Sequence, residues 1–147
     1  MKTMMQKLTK AFAIAIVAVV ASAAPAAAQD FKVIVNSANS TTELTADAAA
    51  KLFLKQTPKF PNGTAAQPVD QGKGSPLRAT FSKAVLGRAV AAVETYWQQQ
   101  IFAGKEVPPP SKASDDEVVA YVKANPGAIG YVSAGTATAG VKVVDIK

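Results

Sequence analysis

The sequence predicts an α/β architecture, a sheet covered by helices, on three observations. Short β-branched runs such as FKVIVN, AIGYV and VKVVDI alternate with longer stretches of helical periodicity, and that alternation favours helices packed over a sheet. No internal repeat is present. Once a leader is removed, 119 of the 147 residues remain, enough for one domain around one core.

That leader comes first along the chain. Lys2, Lys7 and Lys10 form a positive n-region, and residues 11–24, AFAIAIVAVVASAA, form an apolar h-region. Pro25 interrupts the run, and Ala26 and Ala28 supply the small residues that a signal peptidase prefers. A signal peptide over residues 1–28 is therefore expected, cleaved between Ala28 and Gln29, with the mature domain over residues 29–147. The apolar run falls short of the roughly 20 residues that a membrane span needs. No cysteine follows it, so a lipoprotein anchor is excluded and no stable membrane anchor is expected after cleavage. The expected location is the periplasm.

Removing the leader changes the charge. Of sixteen basic residues three lie in the leader, leaving thirteen against ten acidic ones and a mature charge of +3. Lys51, Lys55, Lys59, Lys73, Lys83, Lys105 and Lys123 are scattered and not clustered with aromatics, so they read as solvated surface and no nucleic-acid partner is expected. With neither cysteine nor histidine, thiol nucleophiles, histidine bases and Cys/His metal sites are excluded. No disulfide constrains the unfolded chain, so core burial must hold the fold.

The elements follow in order. FKVIVN, Phe31–Asn36, reads as a buried strand. Thr45 caps a helix ADAAAKLFL whose first turn carries Asp47 at the positive end of the dipole. Two prolines and an Asn-Gly pair in QTPKFPNGT end it in turns. AAQPVD carries a faint strand signal. In PLRATFSKAVLG, Leu77, Phe81 and Val85 recur every four residues with Ala84 beside them, one apolar stripe closed by Gly87. A second helix over residues 89–102 sets Val93, Tyr96, Trp97 and Ile101 at helical spacing, a core face rather than a ligand-stacking box. Pro108, Pro109 and Pro110 make the next segment a surface linker. Ser114 and Glu117 form a capping box for a helix whose apolar face is Val118, Val119 and Val122. Asp115, Asp116 and Glu117 stand where a helix dipole favours carboxylates and need no metal.

The chemistry centres on VDQGKGSPLRATF, residues 69–81. It is neither a Rossmann fingerprint nor a P-loop, since Leu77 stands where a glycine would and Gly74 follows Lys73. Ser75 suits an N-cap and Pro76 the first helical position. Two readings stand. In one, Ser75 caps its own helix and Lys73 is solvated. In the other, Gly74 and Ser75 with the free amides after Pro76 cradle an oxyanion, with Lys73 and Arg78 as charge partners. A Ser75–Lys73 hydrolase pair would need a buried lysine; the flanking Gly72 and Gly74 predict exposure, so no enzyme is expected.

Nearly the whole mature chain resembles, in order, the phosphate-type substrate-binding proteins of bacterial ABC importers. ELTADAAAKLFLKQTPKFPNGT resembles a family helix and its Trp-Pro-Asp-Gly turn, with Lys55 in place of a glycine and Phe60 in place of the tryptophan. ATFSKAVLG, YWQQQIFAGKEVPPP and SDDEVVAYVKANPGAIGYV continue the match, the closing NPGAIGYV being the most specific part. The resemblance implies a periplasmic-binding-protein-like fold with a central mixed sheet flanked by helices. Family members close two lobes on the ligand, whereas this chain has length for one, resembling the second.

The family's second-lobe anion loop, Arg-Ser-Asp-Gly-Ser-Gly-Thr-Thr, falls without gaps on QGKGSPLR, residues 71–78. Gly74 and Ser75 are retained, and Ser75 alone carries over as a matched ligand residue. Gln71 stands for the arginine, Lys73 for the aspartate, Pro76 for the second glycine, and Leu77 and Arg78 for the threonines. The family's aspartate accepts a hydrogen bond from protonated phosphate and helps reject sulfate, so with Lys73 there that discrimination is expected to be lost. Lys73 and Arg78 enter the expected site on charge alone. The resemblance implies an exported binding protein for phosphate or a similar oxyanion, without a cofactor, serving an ABC transporter permease or paired with a second binding subunit. The alternative is a single-lobe accessory module of the envelope that has lost its ligand.

Overall fold

The computed structural model describes residues 30–147. The expected signal peptide and its cleavage junction lie outside the described residues. Among those described, no helix is long and apolar enough to cross a membrane.

Five strands form one mixed sheet in the order β2-β7-β1-β6-β3. The central strand β1 (Phe31–Asn36) pairs antiparallel with β6 (Ala128–Ser133) on one side and with β7 (Val141–Ile146) on the other. The short edge strands β2 (Glu43–Leu44) and β3 (Gln67–Pro68) run parallel to β7 and β6. Beyond Val69 the β3 chain leaves the main sheet, and β4 (Asp70–Gln71) pairs with β5 (Ser111–Lys112) in a separate parallel ladder.

FKVIVN shows no apolar/polar alternation because both faces of β1 are covered. Phe31, Val33 and Val35 pack toward α1 (Ala46–Phe53), through Leu52 and Phe53, and toward Phe81 of α2 (Pro76–Phe81). Ile34 lies on the other face with Val132, under Val118 and Val122 of α4 (Asp115–Ala124). Each such aliphatic side chain stabilises the fold by roughly 1.5–3 kcal/mol when fully buried. Gly130 lets α4 come close: a Cβ there would stand 2.8 Å from Val118 Cγ1 and 2.8 Å from Val69 Cγ1.

The local signals at the starts of α1 and α4 are realised. Thr45 Oγ1 accepts from Ala48 N at 3.1 Å, and Ser114 Oγ accepts from Glu117 N at 3.2 Å. Glu117 reaches back to Ala113 N, one residue before the cap, at 2.9 Å.

Three expectations are corrected. The helix beginning at Pro76 widens into a π-helical turn over Ser82–Leu86 before Gly87 ends it at φ 65°. The wider turn rotates the following positions, so Ala84, expected on the apolar stripe, is exposed, while Ser82 is buried and donates to Arg88 O at 2.6 Å. Ile101 does not join the core face of α3 (Val90–Phe102): it is 54 % exposed, because α3 packs through Val93, Tyr96 and Trp97 against Leu54 and Leu86, and its last turn projects. Finally, Ser75 has the extended backbone of an N-cap, but its side chain makes no capping hydrogen bond.

Candidate functional site

The site is set by the point at which one strand changes partners. Val69 N donates to Ile129 O in the main sheet at 2.8 Å, and the next amide, Asp70 N, donates instead to Pro110 O at 2.8 Å. Successive side chains of an extended strand point to opposite sides, so Asp70 and Gln71 face apart and line different hollows. The loop at residues 72–75 then closes with Ser75 N bonded to Gly72 O at 2.9 Å. It carries Lys73 to the Asp70 side and Ser75 to the Gln71 side.

On the Ser75 side lies an open cleft of about 500 Å³, lined by Asp30, Gln71, Ser75, Leu77, Ser114 and Asp115 among others. The starts of α2 and α4 meet there, as do the carboxyl ends of β4 and β6, the place where open α/β sheets bind ligands. Gln71 is 3 % exposed and its side-chain nitrogen is engaged twice: Nε2 donates to Asp115 Oδ1 at 2.7 Å and to Tyr131 O at 3.0 Å. Asp115 also accepts from Ser133 N at 3.2 Å and from Thr136 Oγ1 at 2.8 Å. Burial raises the Asp115 pKa, but the hydrogen bonds from Ser133, Gln71 and Thr136 outweigh it and hold the carboxyl below its ordinary value. Among the described residues, no lysine or arginine lines this cleft.

On the other side, a hollow of about 330 Å³ is lined by Asp70, Lys73, Arg78, Glu94, Trp97 and Ser111 among others. Arg78 Nε stands 3.5 Å from Asp70 Oδ2, with both side chains largely buried. The Tyr131 hydroxyl donates to Asp70 Oδ1. Burial, then the charge and hydrogen bond of Asp70, push that hydroxyl far above its ordinary pKa, so it stays a neutral donor. Phe81 stacks on the Tyr131 ring at 3.8 Å between centroids. Lys73 Nζ pairs with Glu94 Oε1 at 3.2 Å and is 76 % exposed.

Of the four residues singled out in the sequence, Ser75 thus faces the larger cleft, and Lys73 and Arg78 face the hollow behind the loop. Gly74 is exposed on the loop between them, with nothing within 4 Å of a Cβ built there. Sequence reasoning missed Asp30, Ser114 and Ser133 as cleft residues and read Asp115 only as a dipole partner. The usable signal was positional: Ser114 and Ser133 each sit at the carboxyl end of a strand or just beyond it. Among the described residues, no group of three or more acidic side chains is arranged to hold a metal ion.

No family model and no curated protein matches the sequence. Among solved structures, the chain is similar to an ABC-type phosphate transport receptor from Vibrio cholerae, with a TM-score of 0.63 and 18 % identity over 80 % of this chain and 46 % of that one. It is similar to a putative phosphate ABC transporter substrate-binding protein with bound phosphate from Clostridium perfringens, with a TM-score of 0.59 and 17 % identity over 80 % of this chain and 44 % of the other. A possible phosphate binding protein from Planctomyces limnophilus gives a TM-score of 0.61 and 17 % identity, over 80 % of this chain and 41 % of that protein. The chain therefore spans under half the length of these proteins. At such identities the likeness is one of fold, and the fold is the expected one: a single periplasmic-binding-protein-like lobe with a mixed sheet flanked by helices.

Proposed function

We propose that this chain is an exported solute-binding protein, related to the receptors of phosphate ABC importers, that takes phosphate or another oxyanion in the Ser75 cleft. The observation that carries the reading is the Ser75 hydroxyl, which is left uncommitted by its own helix and lines the cleft where α2 and α4 begin. Two helix starts supply amide donors and positive dipole ends. The likeness in fold to proteins named for phosphate binding supports the same reading. Gly74 leaves room for a ligand to approach the loop backbone. Lys73 and Arg78, each beside a carboxylate, act on the ion only at longer range.

A lone lobe leaves its ligand half in water, where charge pairs are weak. Affinity is then low unless a second subunit or a transporter permease covers the cleft. Isothermal titration of the purified protein, lacking residues 1–28, with phosphate and with sulfate tests the reading. Saturable heat and a raised melting temperature are expected. Neither heat nor stabilisation at millimolar ligand would sink it.

A second reading has its own observation. At the end of α3 Phe102 is 96 % exposed and Ile101 54 %, and Val107 in the segment that follows is 58 % exposed. An accessory module of the envelope that has lost its ligand would use such a surface. In that case Phe102→Ser abolishes recovery of a stable heteromeric partner from the periplasm and Ser75→Ala leaves it unchanged; the absence of any reproducible partner counts against it.

A further inference from the structure

Large apolar side chains that stand open to solvent are few in this chain, and most are gathered in one place. Among the described residues they are Ile101, Phe102, Val107 and Val143, and all but Val143 belong to the short stretch 101–107. Apolar residues scattered singly over a surface need no explanation, whereas a contiguous patch marks a site of contact.

The stretch is held in shape. α3 ends at Phe102, and Gly104 turns the chain back in the left-handed region at φ 66°. Gly104 N donates to Ile101 O and Lys105 N to Gln100 O, each at 3.0 Å, so the reversal is closed by its own backbone. Glu106 Oε2 then stands 3.6 Å from Nζ of Lys55, just past the end of α1. Lys55 is itself left-handed at φ 54°, alone among the described non-glycine residues, and such a conformation persists where its surroundings hold it.

The result is a knob beside a recess. Phe102 stands almost wholly in solvent, and next to it Ile101, Gly104, Lys105, Glu106 and Val107 line an open hollow of about 260 Å³. A cavity of about 150 Å³ admits benzene, so the hollow has room for a phenyl ring. Its lining carries one ammonium and one carboxylate, from Lys105 and Glu106. A surface that bears a knob, a recess to take it and both signs of charge is complementary to itself, which is what a twofold contact requires.

We propose that the occupant of this surface is a second copy of the chain. Phe102 of each protomer enters the hollow of the other, and Lys105 of each meets Glu106 of its partner. No residue of the stretch 101–107 lines the Ser75 cleft, so both clefts stay open and the dimer presents two of them. The contact is small and the dimer correspondingly weak, with a dissociation constant on the order of 10 µM.

Sedimentation equilibrium of the processed protein, from low to high micromolar concentration, tests this. A reversible monomer–dimer equilibrium is expected. Phe102→Ser, a change on an exposed side chain, should weaken it about a hundredfold, because two phenyl rings return to water for each dimer lost, and should leave the circular dichroism spectrum unchanged. Lys105→Glu and Glu106→Lys each set like charges against each other across the contact, so each variant alone should be monomeric. Mixed in equal amounts, the two should form a heterodimer, read by native mass spectrometry. A protein that stays monomeric at high micromolar concentration overturns the proposal and leaves the oxyanion reading standing. A dimer that survives Phe102→Ser overturns it as well, as do charge variants that fail to pair when mixed. Binding of the monomer to phosphatidylglycerol vesicles through Phe102, without dimers, overturns it in favour of a lipid surface.

Discussion

The two sides of the loop at residues 72–75 are built from neighbouring residues and differ in how their polar groups are used. Behind the loop, charges meet charges: Arg78 faces Asp70, Lys73 faces Glu94, and Tyr131 donates to Asp70. In front of it, the Ser75 hydroxyl is left without a capping bond, and Asp30 and Asp115 share a lining that has no basic side chain among the described residues. Chain proximity suggests a single cluster of Lys73, Gly74, Ser75 and Arg78, but the turn closed by Ser75 N on Gly72 O parts it in two. The paired side has the form of a structural brace. The unpaired side has the form of a place for something else to bind.

The largest effect that would sharpen this contrast lies behind the loop. Asp70→Ala leaves the Arg78 guanidinium largely buried without its carboxylate and removes the acceptor of the Tyr131 hydroxyl. Breaking such a pair should cost about 3 kcal/mol, read as a lower urea midpoint at unchanged m-value. A loss under about 0.5 kcal/mol, the scale of an exposed ion pair, would mean that this side is no brace.

The next test concerns Asp115, which ties the cleft to β6. Its pKa in the folded protein is lowered from 3.8, so the folded state binds this proton less readily than the unfolded chain does. The stabilisation it contributes is therefore complete above the ordinary carboxylate pKa and is lost as the pH falls through the lowered folded value. Asp115→Asn should remove that acid-side slope from the difference in unfolding free energy between the two proteins. Parallel pH profiles would show that the hydrogen bonds from Gln71, Ser133 and Thr136 do not favour the ionised form.

How much of this was legible in the sequence depends on the range of the interaction concerned. Thr45, Ser114 and Gly87 act within one turn of a helix, and their roles could be read from spacing. The buried strand FKVIVN could be read because both its faces are covered by apolar layers. Ser75 had the same local signature as Thr45, yet only Thr45 caps. The π-turn at Ser82 and the projection of Ile101 are set by packing, since they depend on Arg88 O and on where Leu54 and Leu86 meet α3. The composition of the cleft was the least legible part. Gln71, Asp115 and Ser133 are brought together by β6 and by the chain's exit from the main sheet after Val69, and nothing in their own neighbourhoods announces it.

A smaller effect distinguishes a free hydroxyl from a cap. Replacing an N-cap serine by alanine costs typically about 1 kcal/mol. Ser75 makes no such bond, so Ser75→Ala should change stability by less than about 0.5 kcal/mol while abolishing ligand heat. Thr45→Ala, whose hydroxyl does cap α1, should show the full cost and serves as the internal standard. Equal losses for the two variants would return Ser75 to a capping role.

The smallest expected effect belongs to Lys73. Its ammonium is 76 % exposed, and its partner Glu94 lies behind the loop, so Lys73→Ala should lower stability by about 0.5 kcal/mol at most. If its charge reaches the cleft only through solvent, the variant should also weaken phosphate binding by less than about threefold, and added salt should erase the difference, because exposed charges more than about 10 Å apart are screened at 0.1 M ionic strength. A loss of tenfold or more that persists in high salt would put Lys73 in direct contact with the ion. The loop would then have to turn its side chain to the Ser75 side on binding, and the separation of the two sides would hold only for the empty lobe.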